Sequence, residues 1–358
     1  MSTRLDTIWD AIIVGQGLAG TTLAWQLRDA GLTVLIVDAC EAVTSSKIAA
    51  GLITPITGQR LALSWRVDEM LPVAKRFYAG IEARTGKTFF HARPCVRLFA
   101  DEAERVNWAQ RSQNPAFQKY AAALQPNPLV EADIADSSGG GFEMQAAQLD
   151  VAEYLAASSA HFAVVPAALD WQRDVTLSAD AVTVLGHRAK LVISCEGFVA
   201  TRNPYFSWVP FRSAKGDVLT IRVERPGSKP LPPVALHRGI WVAPTADPDL
   251  FRVGATYDWQ TLDDVPSPAG RLEIEDKLKA FFRVPYTVID HQAAVRPIMH
   301  ESKARIGLHP ELPRLGYFNG LGSKGSLHAP WFAMRFANFL VKGTPLPADV
   351  DVGRLWRE

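Results

Sequence analysis

Along the chain, the apolar positions change period in a definite order. Residues 11–14 (AIIV) are an unbroken apolar run, the pattern of a short strand buried on both faces. Residues 21–27 (TTLAWQL) carry apolar side chains at helical spacing, and Gly31 marks the stop. Residues 33–37 (TVLIV) form a second apolar strand that ends at Asp38. Strand, helix and strand within about thirty residues predict a βαβ unit.

The middle is less regular. Residues 61–85 predict a helix with Leu71, Ala74, Phe77, Tyr78 and Ile81 on one face, and residues 103–124 predict another, broken near Pro115. Residues 137–141 (SSGGG) predict a turn at a domain crossing, and residues 149–158 a helix with Asp150 in its first turn. Strands then dominate: 181–185 and 190–194 around Gly186, and 217–223, 239–243 and 250–255, whose hairpin-length separations predict an antiparallel set. A helix over 269–282, a strand over 316–318, a glycine loop over 319–325 and a helix over 329–341 complete the chain. The two ends read as parts of one α/β layer with mixed, β-rich material inserted between them.

The turn after the first strand is Gly15-Gln16-Gly17-Leu18-Ala19-Gly20. Such a glycine run is weak evidence alone, but here it follows a strand, opens a helix and precedes Asp38 by eighteen residues. Gly15 permits the turn, Gly17 lets the backbone approach a pyrophosphate, and Gly20 lets helix and strand pack closely. Leu18 and Ala19 start the helix, whose free amides favour phosphate. Asp38 would accept hydrogen bonds from ribose hydroxyls, which selects FAD or NAD over NADP. Residues 44–59 (TSSKIAAGLITPITGQ) include a stretch too apolar for a free loop, with small residues suited to lying against a flat ring. Its amides would address flavin N5 and O4.

A length of 358 residues predicts about two domains. Lys and Arg number 38 against 37 Asp and Glu, so the formal charge of +1 argues against a large nucleic-acid footprint. Cys40, Cys95 and Cys195 form no metal-binding spacing and no disulfide framework, which fits a reducing, cytoplasmic compartment. No apolar run reaches membrane-spanning length. No HExxH and no G-x-S-x-G is present, and Gly320-x4-Gly325 lacks the lysine of a phosphate loop.

In order along the chain, several segments resemble the D-amino-acid-oxidase-like FAD oxidoreductases, among them D-amino-acid, glycine and sarcosine oxidases. They are the glycine fingerprint, residues 46–51 (SKIAAG), 191–197 (LVISCEG), 210–219 (PFRSAKGDVL), the hairpin 241–257 with GATY, 293–297 (AAVRP) and 320–330 (GLGSKGSLHAP). The last of these and GATY are also similar to the oxidase half of the bifunctional enzyme that modifies wobble uridine in tRNA. The resemblance covers about residues 11–340 but not 61–141. It implies a glutathione-reductase-like, Rossmann-type FAD domain (1–62, 142–212 and 303–358) interleaved with an α+β substrate domain on an antiparallel sheet (63–141 and 213–302).

The flavin contacts it implies are Ser46, Lys47, Ala49, Ala50, Gly51 and Leu52, then Glu196 and Gly197, then Gly320, Gly322, Ser323, Lys324 and Gly325. Three departures stand out: Glu196 replaces a frequent Thr, Ala294 a Gly, and Asp38 a commoner Glu. No cysteine lies near Arg296, so the FAD is expected to be non-covalent.

Arg296 is the sharpest catalytic candidate, because a guanidinium fork grips a carboxylate through two bonds. The competing account pairs it structurally with an acid such as Glu301. Lys324 would place positive charge near flavin N1 and O2, at the start of the last helix. Tyr257, with Trp259, His237 and Trp241, is placed to line a pocket. The expected reaction is oxidation of a small carboxylated amine to an imine by hydride transfer to flavin N5, with O2 or another acceptor reoxidising the flavin. A tRNA-modifying oxidase, a non-catalytic flavin-holding subunit and an NAD-dependent dehydrogenase are the alternatives.

Overall fold

The computed structural model describes residues 7–123, 140–224 and 231–356. Its first sheet is built on parallel strands in the order Ala163–Pro166, Val34–Asp38, Trp9–Val14, His187–Ser194 and Leu315–Asn319. Both faces of the central strands are covered, which is why they read as continuous apolar runs. Ile13 and Ile36 enter the core under the helices, while Ile12, Val14, Leu35 and Val37 pack into a second core with Trp171, Phe206 and Tyr317. Antiparallel additions at 182–184, 175–177 and 305–308 complete the sheet.

Helix Leu18–Asp29 starts at the glycine turn and packs on the closing helix Gly325–Lys342. Only glycine fits at position 20, where a Cβ would lie 1.8 Å from the Gly15 carbonyl oxygen. The closing helix begins at Gly325, four residues before the start that periodicity predicts. Its internal Pro330 cannot donate to the Ser326 carbonyl, and the buried Tyr78 hydroxyl donates there instead, at 2.9 Å. A residue from helix Val67–Thr85 thus repairs the helix ladder around a proline.

Two predicted helices are shorter than expected. The one predicted over 61–85 begins at Val67, because residues 56–57 and 62–63 pair as a small hairpin first. The one predicted over 103–124 is helix Glu102–Arg111, then a single turn Pro115–Gln118 capped by Asn114, then strand Ala121–Ala123. Leu124 and residues 137–139 of the predicted glycine turn lie outside the described residues. The helix over 149–158 is Val151–Ser159, with Asp150 as its N-cap and not within its first turn.

The second large sheet runs Tyr286–Arg296, Ala214–Val223, Leu250–Gly254, Ile240–Pro244, Ala235–Arg238, Cys95–Leu98, Gly141–Met144 and Ala121–Ala123. The antiparallel set predicted over 217–255 forms its middle. Leu219, Ile221, Val242 and Val253 face Ile274, Leu278 and Phe281, at and just after helix Pro268–Lys279. The opposite face is the ceiling of the cavity described next.

Candidate active site

A cavity of about 1510 Å³ runs from the glycine turn to the underside of the second sheet. At one end it is lined by Gly15, Gly17, Leu18, Ala19 and Asp38, and in the middle by Ser46, Ala49, Ala50, Gly51 and Leu52. Glu196, Gly197, Gly322, Ser323, Lys324 and Gly325 close it from the other side, with Arg296 and Tyr257 at the ceiling. The two small-residue turns near the ends of the polypeptide therefore meet around one space. Gly20 is spent on helix packing, Gly320 backs onto Met299, and Lys47 donates to the Glu41 carbonyl; these three do not line the cavity.

The ceiling follows the pairing register. Cross-strand partners share a face, so Val218, Gly254, Trp241, His237 and Arg97 form one continuous row above the cavity. Arg296 lies one strand beyond this row, beside Gly216. A Cβ on Gly216 would come within 2.0 Å of the Arg296 guanidinium, so the glycine allows this side chain to lie flat on the sheet. Its Nη1 donates to the carbonyls of Thr256 (3.1 Å) and Lys215 (3.4 Å), and its Cζ lies 4.3 Å above the Tyr257 ring. Among the described residues no carboxylate reaches ion-pair distance. Glu301, the acid that would make Arg296 structural, pairs with Arg305 instead. Burial draws the Arg296 pKa down, partly opposed by Tyr257 and by Asp217 on the other side of the sheet.

Among the described residues Lys324 is likewise unpaired with an acid. Its Nζ donates to Thr57 Oγ1 (3.0 Å) and Ser64 Oγ (3.3 Å), and burial lowers its pKa. One turn on, His328 is pushed down to about 3 by burial and by Lys324, and among the described residues neither ring nitrogen has a hydrogen-bond partner. His237 is likewise pushed down to about 3, so both imidazoles are neutral. Glu196 accepts from Trp171 Nε1 (3.0 Å), Ser194 Oγ (2.6 Å) and Asn203 Nδ2 (3.3 Å), while burial raises its pKa. Asp38 accepts from the amides of Gln16 (2.6 Å) and Cys40 (2.8 Å).

Of the aromatic candidates, Tyr257 and Trp241 line the cavity, and Trp259 stacks on Tyr257 with centroids 6.0 Å apart. Sequence reasoning missed the buried Arg97–Glu104 pair at the far end of the ceiling, and also Thr256, Arg252 and Gln148. Arg97 and Glu104 are seven positions apart, but Arg252, Gln148 and Thr256 take their meaning from Lys47, Ala50 and Arg296, which lie 205, 98 and 40 positions away. The described residues contain no group of His, Cys, Asp and Glu able to hold a metal ion. No described helix is long and apolar enough to cross a membrane.

The fold and the cavity define a dinucleotide-binding α/β protein with a sheet-roofed site. Residues 10–339 match the DAO family of FAD dependent oxidoreductases, and the chain belongs to that family. Glycine oxidase from Geobacillus kaustophilus superposes with a TM-score of 0.80 at 19% identity, covering 98% of this chain and 99% of that one. Iminodiacetate oxidase from Chelativorans sp. BNC1 superposes with a TM-score of 0.71 at 17% identity, over 95% and 97% of the two chains.

By sequence, the tRNA 5-methylaminomethyl-2-thiouridine biosynthesis bifunctional protein of Maricaulis maris is 27% identical over 346 residues, which are 94% of this chain and 53% of that protein. The chain thus spans about half the length of that relative.

The cavity fits the cofactor of this family. Helices begin at Leu18 and Gly325 beside it, and amide-rich helix starts attract anionic groups. The amides of Ala50 and Gly51, which line it, donate to no acceptor among the described residues. Buried amides without a partner are rare, and a flavin ring provides acceptors for such donors.

Proposed function

We propose that this protein oxidises a small amine bearing a carboxylate, with Arg296 as the carboxylate grip. One observation carries the reading: a guanidinium lies flat on the cavity roof, held by backbone carbonyls and a tyrosine ring, with no acid of its own among the described residues. A site with such an unspent fork favours a carboxylate ligand. Bound FAD supplies the two-electron acceptor, and O2 or another carrier removes the electrons.

The chain's own residues then bind and orient. Gly15, Gly17, Leu18 and Ala19 would take the pyrophosphate, with Gly20 keeping their helix close, and Asp38 would take the ribose hydroxyls. Ser46, residues 48–52, Glu196, Gly197 and Gly322–Gly325 would form the walls along the flavin, and Lys324 with the start of the closing helix would hold negative charge there. Arg296 and Tyr257 fix the substrate's carboxylate so that one C–H of the amine-bearing carbon is presented in a single orientation. A neutral amine that gives up this hydrogen with its electron pair becomes an iminium ion, which releases a proton to water to give the imine that water then hydrolyses. No side-chain base is needed for that step.

The test is an anaerobic screen of flavin bleaching with D- and L-amino acids, glycine, N-methyl glycines and iminodiacetate. Bleaching by a carboxylated amine, and not by its decarboxylated analogue, is the expected result. A purified chain unable to take up FAD would sink the reading.

The 27% identity to the tRNA-modifying protein along nearly the whole chain favours a second reading, in which the carboxylated amine is borne on tRNA. Salt-sensitive tRNA binding would support it, and no binding at low salt would dismiss it.

A further inference from the structure

Residues 46–51 pass the cavity as an irregular segment, yet two side chains from distant strands hold its carbonyls. Arg252, on strand Leu250–Gly254, donates through Nη1 to the carbonyls of Lys47 (2.9 Å) and Ala49 (3.0 Å). Gln148, on strand Ala147–Leu149, donates through Nε2 to the carbonyls of Ala50 (2.9 Å) and Pro244 (3.1 Å). A trans peptide is planar, with its C=O and the following N–H pointing in opposite directions. Holding the Ala49 carbonyl on Arg252 therefore turns the Ala50 N–H away from the strands, and holding the Ala50 carbonyl on Gln148 does the same for Gly51. Both residues line the cavity, and neither amide has an acceptor among the described residues.

Arg252 is otherwise hard to explain. It is largely buried, and among the described residues no carboxylate lies within ion-pair distance of it. A buried charge without a counter-ion is costly to keep. Arg252 does not line the cavity, and among the described residues its Nη1 holds carbonyls alone, two from one nitrogen in a fixed geometry.

We propose that Arg252 and Gln148 are positioning residues that aim the Ala50 and Gly51 amides into the cavity as a rigid donor pair for the electron-accepting part of the flavin. The inference rests on the FAD reading above. Two aimed amides stabilise negative charge that grows on reduction, so they favour the reduced cofactor.

The experiment compares FAD-loaded wild type with Arg252→Met and Gln148→Leu, which keep bulk and remove the donors. The readouts are the flavin midpoint potential, the visible spectrum and the FAD dissociation constant, none of which requires turnover. Each variant is expected to disfavour the reduced form at least tenfold, a two-electron potential lower by about 30 mV. The visible band should shift, and FAD affinity should change less than tenfold.

Millimolar guanidinium ion should restore the potential in Arg252→Ala, which a merely structural role would not allow. If Arg252→Met fails to fold, Gln148→Leu carries the test. Unchanged potentials in folded variants would overturn the inference alone, as would a folded variant that has lost FAD altogether. Wild type that takes up no FAD would instead remove the functional reading and this inference with it.

Discussion

Two arginines stand at opposite ends of the cavity roof, five strands apart and so separated by roughly 24 Å. Arg97 is closed into the protein. It pairs with Glu104, donates to the Gly58 carbonyl at 3.0 Å, and both partners are under 10% exposed. Arg296 is open to the cavity and holds only carbonyls and a ring. The same side chain on the same sheet face thus does two jobs, and the difference is the presence of an acid. A buried guanidinium with its carboxylate is a completed structural unit. Arg296, with no acid among the described residues, lines the cavity with only Nη1 engaged there and keeps the rest of its fork for a ligand.

The comparison breaks most clearly through stability. Arg97→Met leaves Glu104 buried without its counter-ion and is expected to cost about 3–5 kcal/mol, read from denaturant unfolding. Any loss of activity should then follow from lost fold, with the KM of the surviving enzyme unchanged. Arg296→Met should do the reverse. It should raise KM for carboxylated amines about a hundredfold or more, while unfolding free energy moves by less than about 1 kcal/mol because no acid is left behind. Equal stability losses in the two variants would erase the distinction.

Between the arginines lies His237, and beside Lys324 lies His328, both held near 3 by burial. Unfolded, each takes up a proton below about 6.5. Between those two values the unfolded chain binds more protons, so stability is lost as pH falls through the ordinary histidine range. At pH 5 each histidine should cost about 2 kcal/mol. Calorimetric melting from pH 7.5 to 5 checks this, and His328→Gln should flatten the slope. An unaltered slope would mean that the imidazole already carries its proton in the folded chain.

The smallest effect expected is at Tyr257, whose ring lies under the Arg296 guanidinium and is half exposed. A contact of this kind contributes about 0.5–2 kcal/mol. Tyr257→Leu should therefore raise KM by a few-fold to about thirtyfold, with Tyr257→Phe close to wild type in steady-state assays. A Phe variant as impaired as Leu would show that the hydroxyl matters and not the ring face.

How much of this was legible depended on where each feature's partners lie. The glycine turn, its helix and Asp38 fall within 24 residues, so local pattern announced them. The strands Ala214–Val223, Ile240–Pro244 and Leu250–Gly254 were legible for the same reason, and Ala235–Arg238 between them was not. The strands at 90–92, 95–98 and 141–144 were not, because they are short and owe their pairing to distant segments. The start of the closing helix was missed because Pro330 argues against helix locally, and Tyr78 answers that objection from 248 positions away.

By itself, the sequence determined the things that a backbone decides over short distances: the parallel strands, the anion-attracting helix start, and the small residues that let a flat cofactor approach. It also named Arg296 through a motif. What the arginine is for was decided only in three dimensions, where Gly216 gives it a floor, Lys215 and Thr256 hold it, and Glu301 turns to Arg305. Charge pairing and burial are properties of distance in space, and a chain's spacing fixes those distances only after the whole fold has closed.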